Sequence, residues 1–147
     1  MRPEFWKTIP MEDLTPPEWE ALCDGCGKCC LLKLEDEDTG QLEYTSVVCK
    51  LFDHQTCGCT KYKTRQKLVP TCVVLTPDNI ADIAYWMPST CAYKLLWSNN
   101  PLPDWHPLIT GNKQSVHNAG ISMREKVISE LDVREDDLED YIEEGFQ

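Results

Sequence analysis

The chain has 147 residues, enough for one domain with a modest core, and no apolar run long enough to span a membrane. Its 14 basic and 25 acidic residues give a net charge of −11. With no basic face to displace counterions, a nucleic-acid partner is not expected, nor is a membrane partner. The residues Met1–Lys7 lack a secretory signal pattern, so a reducing, cytoplasmic location is expected, where nine cysteines make poor disulfide partners.

In chain order, Thr15-Pro16-Pro17-Glu18 is a capping box with proline at the first helical position, and Trp19, Leu22 and Cys23 follow at helical spacing. That helix feeds Cys23-Asp24-Gly25-Cys26-Gly27-Lys28-Cys29-Cys30. Gly25 and Gly27 loosen the backbone, so residues 26–30 read as a turn whose N–H groups can face metal-bound sulfur. A continued helix would instead gather Cys26, Cys29 and Cys30 on one face. Residues 31–48 read as a hairpin, with Leu32–Glu35 and Leu42–Thr45 flanking a solvated acidic tip at Asp38-Thr39-Gly40.

Residues 49–72 are irregular around Cys57-Gly58-Cys59. Thr76-Pro77 is expected to open a short helix carrying Ile80, Ile83 and Ala84; Pro88 or Ser89 opens a second with Cys91, Leu95 and Leu96. Pro101, Pro103 and Pro107 mark a long loop holding Trp105-His106. Residues 121–128 look strand-like. Leu138, Tyr141 and Ile142 place an apolar stripe on an acidic helix, which is expected to dock on its own domain. The expected fold is a small α+β domain with short helices, one or two hairpins and an irregular cysteine-rich region organised by metal. Residues 1–130 form its cysteine-cluster body and residues 131–147 an acidic C-terminal helix or tail.

The chemistry lies in the cysteines. Thiolates are soft ligands, and a two-residue gap lets one turn place both sulfurs about 2.3 Å from the same ion. Cys23-x-x-Cys26 has that zinc-knuckle spacing, and Cys49, Cys59 and Cys72 can supply a second pair. Cys23-x-x-Cys26-x-x-Cys29 also opens a bacterial ferredoxin motif, but Cys30 follows at once and Leu31 replaces the proline, so the pattern breaks at its fourth member. A cluster completed by a remote cysteine stays open. Cys91 reads equally as buried filler, and Cys57 as an eighth ligand or a redox-exposed thiol. His54 reads as a solvated loop histidine, although a Cys₃His site is compatible with its position. Arg65 reads as a charge balance for thiolates or as a surface ion pair. His106 and His117 lie ten or more residues from any thiol, and no catalytic constellation is recognised, which leaves an enzymatic role open.

The blocks Cys23-x-x-Cys26-Gly27-x-Cys29-Cys30 and Cys49-Lys50-Leu51-Phe52-Asp53, with Cys59-Thr60-Lys61-Tyr62-Lys63-Thr64-Arg65 and Cys72, resemble the YkgJ-like cysteine-cluster proteins. Thr90-Cys91-Ala92-Tyr93, Leu102–Leu108 and Gly120-Ile121-Ser122 are similar to its YcgN branch. The resemblance implies chelation of zinc or iron by Cys23, Cys26, Cys29, Cys30, Cys49, Cys59 and Cys72. Three roles follow from it: a metal-binding protein whose ion orders the fold and whose surface serves an unidentified protein partner, an iron–sulfur protein with a redox or enzymatic role, and a metal carrier.

Overall fold

Ten prolines and a cysteine-dense first half leave room for only short helices. The computed structural model describes residues 1–147. It contains helices α1 (Phe5–Thr8), α2 (Pro16–Ala21), α3 (Arg65–Leu68), α4 (Ile80–Ile83), α5 (Ala92–Trp97), α6 (Pro107–Thr110) and α7 (Ser115–Asn118). Strands β1 (Leu31–Glu35), β2 (Leu42–Val48) and β3 (Ile128–Ser129) form one sheet in the order β1-β2-β3. The α+β class read from the sequence is the class observed. No helix is long and apolar enough to cross a membrane. The chain divides into two compact units, one of Met1–Gly25 with Val74–Ile121, the other of Cys26–Val73 with Ser122–Gln147.

The first unit is helical and is built on the predicted capping box. Thr15 Oγ1 accepts from the Glu18 N–H at 3.4 Å, and Glu18 Oε1 accepts from the Thr15 N–H at 2.9 Å. Phe5, Leu22, Ile80, Ala92, Tyr93 and Leu102 form its core. Polar ends are tied down around that core: Trp19 Nε1 donates to the Leu75 carbonyl and the Tyr93 hydroxyl to the Trp19 carbonyl. α4 and α5 begin later than the sequence suggests. Thr76 and Asn79 exchange side-chain and backbone bonds as a turn before α4, and Cys91 is the N-cap of α5 after a Pro88–Cys91 turn.

Glu18 carries a second duty. Its nearly buried carboxylate receives Arg2 Nη2 at 2.6 Å and the Arg2 Nε and N–H at 3.1 and 3.0 Å. The Arg2 guanidinium, and then the Thr15 N–H, hold this carboxyl well below the usual carboxylate range. A depressed folded-state pKa gives stability that is present above the unfolded carboxylate value and lost as pH falls toward the folded one. Thermal unfolding should therefore show wild type losing its advantage over Glu18→Gln progressively below about pH 4.5. Arg2 is half exposed, so solvent screening keeps the effect modest.

The second unit holds the sheet. β1 and β2 pair antiparallel as the hairpin reading expects, with Lys33 opposite Tyr44 and a bulge between Leu31 and Lys33. Buried Thr45 stabilises the bulge by donating its hydroxyl to the Leu32 carbonyl at 2.6 Å. Leu31, Tyr44, Val48, Phe52, Cys57 and Met123 form this unit's core.

Two expectations are corrected here. Residues 121–128 do not form a strand: the Met123 N–H donates to the Cys26 carbonyl at 2.8 Å and Glu125 has a φ of 60°, so only Ile128 and Ser129 pair, in parallel, with Val47 and Val48. The acidic tail is not an α-helix but a 3-10 stretch over Glu135–Tyr141. Consecutive acids and poor helix formers favour leaving the helix once backbone partners are available on β2. Ile142 bridges Thr45, the Glu143 N–H donates to the Tyr44 carbonyl, and Gln147 Nε2 donates to the Leu42 carbonyl.

Candidate metal centre

Six of the seven predicted donors belong to the second unit, and all nine cysteines are free thiols. Gly27 shapes the first group of donors. It takes a left-handed φ of 82°, and a Cβ there would stand 2.7 Å from Phe52 Cε2 and 3.2 Å from Cys57 Cβ. Only glycine fits the turn. The turn then aims the Lys28 N–H at Cys26 Sγ, 3.5 Å away, and a 3-10 turn over Lys28–Cys30 carries the adjacent thiols Cys29 and Cys30. The turn reading of residues 26–30 therefore holds over the continued helix.

The remaining donors come from the irregular stretch. The Cys49 N–H donates to the Cys30 carbonyl at 2.9 Å. Asp53 closes the next loop through Oδ1, which accepts from the Gln55 and Thr56 N–H groups, and Cys59 returns to bridge Phe52. Cys72 follows α3, with its N–H on the Val69 carbonyl and its own carbonyl accepting from Gln66 Nε2.

Electrostatics shows which thiols are neighbours. Hydrogen bonding with Cys29, then burial, then the charges of Cys29, Cys49 and Cys59 push the Cys30 thiol far above the ordinary thiol value. Burial raises Cys49, aided by Glu130 and Cys59. Burial also raises Cys72; Cys29, Cys49 and Cys59 push the same way, while Arg65 opposes them. Arg65 also stacks 3.9 Å over the Tyr62 ring and donates to the Tyr62 carbonyl. Burial pushes the Lys33 ammonium down to about 8, while the charges of Cys29, Cys30 and Cys26 push it the other way.

Cys29, Cys30, Cys49, Cys59 and Cys72 thus form one neighbourhood, with Cys26 joined through Lys33. Cys29 is exposed, Cys26 buried and the others half-buried. No group of three Cys, His, Asp or Glu side chains closes around a common point. The donor chemistry nevertheless fits a thiophilic ion, because thiols that suppress one another's ionisation are what a bound cation relieves, and sulfur selects zinc or iron over magnesium or calcium.

Of the other candidates, Cys57 stands beside the Gly27 turn, in the core against which Cys30 packs. Cys23, exposed, and Cys91, packed on the helical core, belong to the first unit. Cys57 is not a redox-exposed thiol: it is buried, with a φ of 62°, beside Ser122, Arg124 and Asp53. His54 sets its ring edge on Phe52. Fully buried His106 commits both ring nitrogens, Nε2 to the Leu22 carbonyl at 2.7 Å and Nδ1 to the Leu108 N–H at 3.0 Å, so it has none left for base chemistry. Two neighbours of the thiols were missed from sequence, Lys33 and Glu130. Lys33 sits within ordinary hairpin alternation, and Glu130 lies 81 residues from Cys49, so neither carried a spacing signal.

Residues 22–92 match the CxxCxxCC family, described as a "putative zinc- or iron-chelating domain". The chain is 57% identical over 138 residues to a UPF0260 protein of Cellvibrio japonicus, covering 94% of this chain and 93% of that one. It is 55% identical over 146 residues to a UPF0260 protein of Rhodobacter capsulatus, covering 99% and 97%. A UPF0260 protein of Shewanella frigidimarina is 50% identical over 134 residues, covering 91% and 90%. No solved structure matches.

Proposed function

The chain belongs to the UPF0260 family and carries the CxxCxxCC domain, and from that premise we propose that it holds a zinc or iron ion in a cage of thiolates. The donors are drawn from Cys26, Cys29, Cys30, Cys49, Cys59 and Cys72, with Cys23 added on its Cys-x-x-Cys spacing. What supports this reading is the mutual electrostatic influence of five thiols, Cys29, Cys30, Cys49, Cys59 and Cys72, none of them in a disulfide. Closed tetrahedral thiolate sites give order where secondary structure is sparse, as it is over residues 49–72. When bound, the ion supplies a cross-link between the Gly27 turn and the irregular stretch. Blocks such as Leu102–Leu108 support placing the chain in the YcgN branch.

Metal analysis of anaerobically purified protein tests the reading. The expected result is about one zinc or iron per chain, released by a chelator with loss of secondary structure. Acid-labile sulfide with a visible spectrum bleached by dithionite would replace the single ion with an iron–sulfur cluster. Protein that holds no metal after reconstitution with either ion would end the proposal. Transfer of the ion to a chelator with the fold intact would favour a carrier instead.

A further inference from the structure

An ammonium group buried in a protein is costly unless its charge is answered. Lys33 is such a group. It is half-buried and follows the β1 bulge, the kind of irregularity that re-aims a side chain beside a site. Nζ donates to the Leu31 carbonyl at 2.9 Å and reaches the Lys28 and Cys29 carbonyls at 3.4 and 3.5 Å. It also lies 4.8 Å from the centre of the Tyr44 ring, its cross-strand partner. The Lys28 and Cys29 carbonyls belong to the turn that carries Cys29 and Cys30, the Leu31 carbonyl opens β1, and the thiols of Cys29, Cys30 and Cys26 favour the charged ammonium against its burial.

We propose that Lys33 is a positioning residue of the thiolate site: its ammonium ties the Cys26–Cys30 turn, through the Lys28 and Cys29 carbonyls, to the start of β1 at the Leu31 carbonyl and supplies a positive charge to that turn. The proposal rests on the metal-binding reading above. A divalent ion in four thiolates carries a net charge of −2 within a chain already at −11, and a counter-cation built into the fold offsets part of that excess. Carbonyl bonds alone would need only a donor. The thiols and the aromatic face make the charge itself the useful property, so arginine should substitute for lysine where methionine cannot.

The test compares wild type with Lys33→Met, Lys33→Gln and Lys33→Arg, using Co²⁺ as a spectroscopic probe and Zn²⁺ by competition. Lys33→Met should weaken Co²⁺ and Zn²⁺ binding roughly 10- to 100-fold, the usual cost of losing an outer-shell partner, and shift the sulfur-to-cobalt charge-transfer band. Lys33→Arg should restore most of the affinity and the band position. If Lys33→Met does not fold, Lys33→Gln, which keeps a donor but no charge, carries the same expectation. Neutral variants that bind within twofold of wild type with an unshifted band overturn the proposal, as does an arginine variant no better than methionine. Failure of wild type to bind either ion would instead overturn the metal-binding reading.

Discussion

Replacing Cys30 with serine is expected to cost the protein most of its metal affinity. Cys30 is the hub of the thiol neighbourhood: it hydrogen-bonds Cys29, feels Cys49 and Cys59, and its carbonyl holds the Cys49 N–H. Serine keeps the size but replaces a soft thiolate with a hydroxyl that stays protonated at neutral pH. Structural zinc sites bind with about 10–16 kcal/mol; shared among four ligands, the loss of one is about 3 kcal/mol, or roughly a hundredfold. Cys91→Ser is the control, because Cys91 packs on the helical core of the other unit and should leave affinity unchanged. Isothermal titration with zinc against a competing chelator measures both. Equal affinities for the two variants would contradict the ligand assignment.

Gly27→Ala should produce the largest loss of stability of any glycine-to-alanine change in the chain. A left-handed φ of 82° costs an L-residue about 1–2 kcal/mol, and forcing a methyl against the buried Phe52 ring adds about 1–3 kcal/mol. Gly25→Ala separates the two contributions. It shares a positive φ of 80°, but nothing lies within 4 Å of the place its added methyl would occupy, so it carries the backbone cost alone. Urea unfolding of both variants should therefore show Gly27→Ala the weaker by at least about 1 kcal/mol. Similar midpoints would mean that Phe52 yields freely to the added methyl.

Features governed by short-range rules were legible in the sequence. The Thr15 capping box, the Gly27 turn and the β1–β2 hairpin each depend on residues a few positions apart, and each formed. Long-range bonding set the misreadings. Nothing in Ile121–Ile128 announces that the Met123 N–H will be taken by Cys26, and nothing in Leu138–Ile142 announces that β2 will offer its backbone to the tail. At the candidate site the cysteine cluster stood out because cysteines at two-residue gaps are rare outside chelating chemistry. Lys33 could not be read, because a lysine on an alternating strand looks like every solvated lysine until its bonds to the Lys28 and Cys29 carbonyls are known.

The unit that holds most of the thiols is assembled from two stretches separated by Val74–Ile121 of the other unit, so they are made at different times in translation. Every proposed sulfur donor precedes residue 74, whereas Met123, β3 and the segment after Glu135, which bond Cys26 and β2, leave the ribosome later. Joining such distant stretches carries a loop-closure entropy that only the finished contacts offset. The nascent chain therefore presents its proposed ligands before the neighbouring wall exists. Metal supply during synthesis, and not only after folding, then bears on how much protein reaches its loaded form.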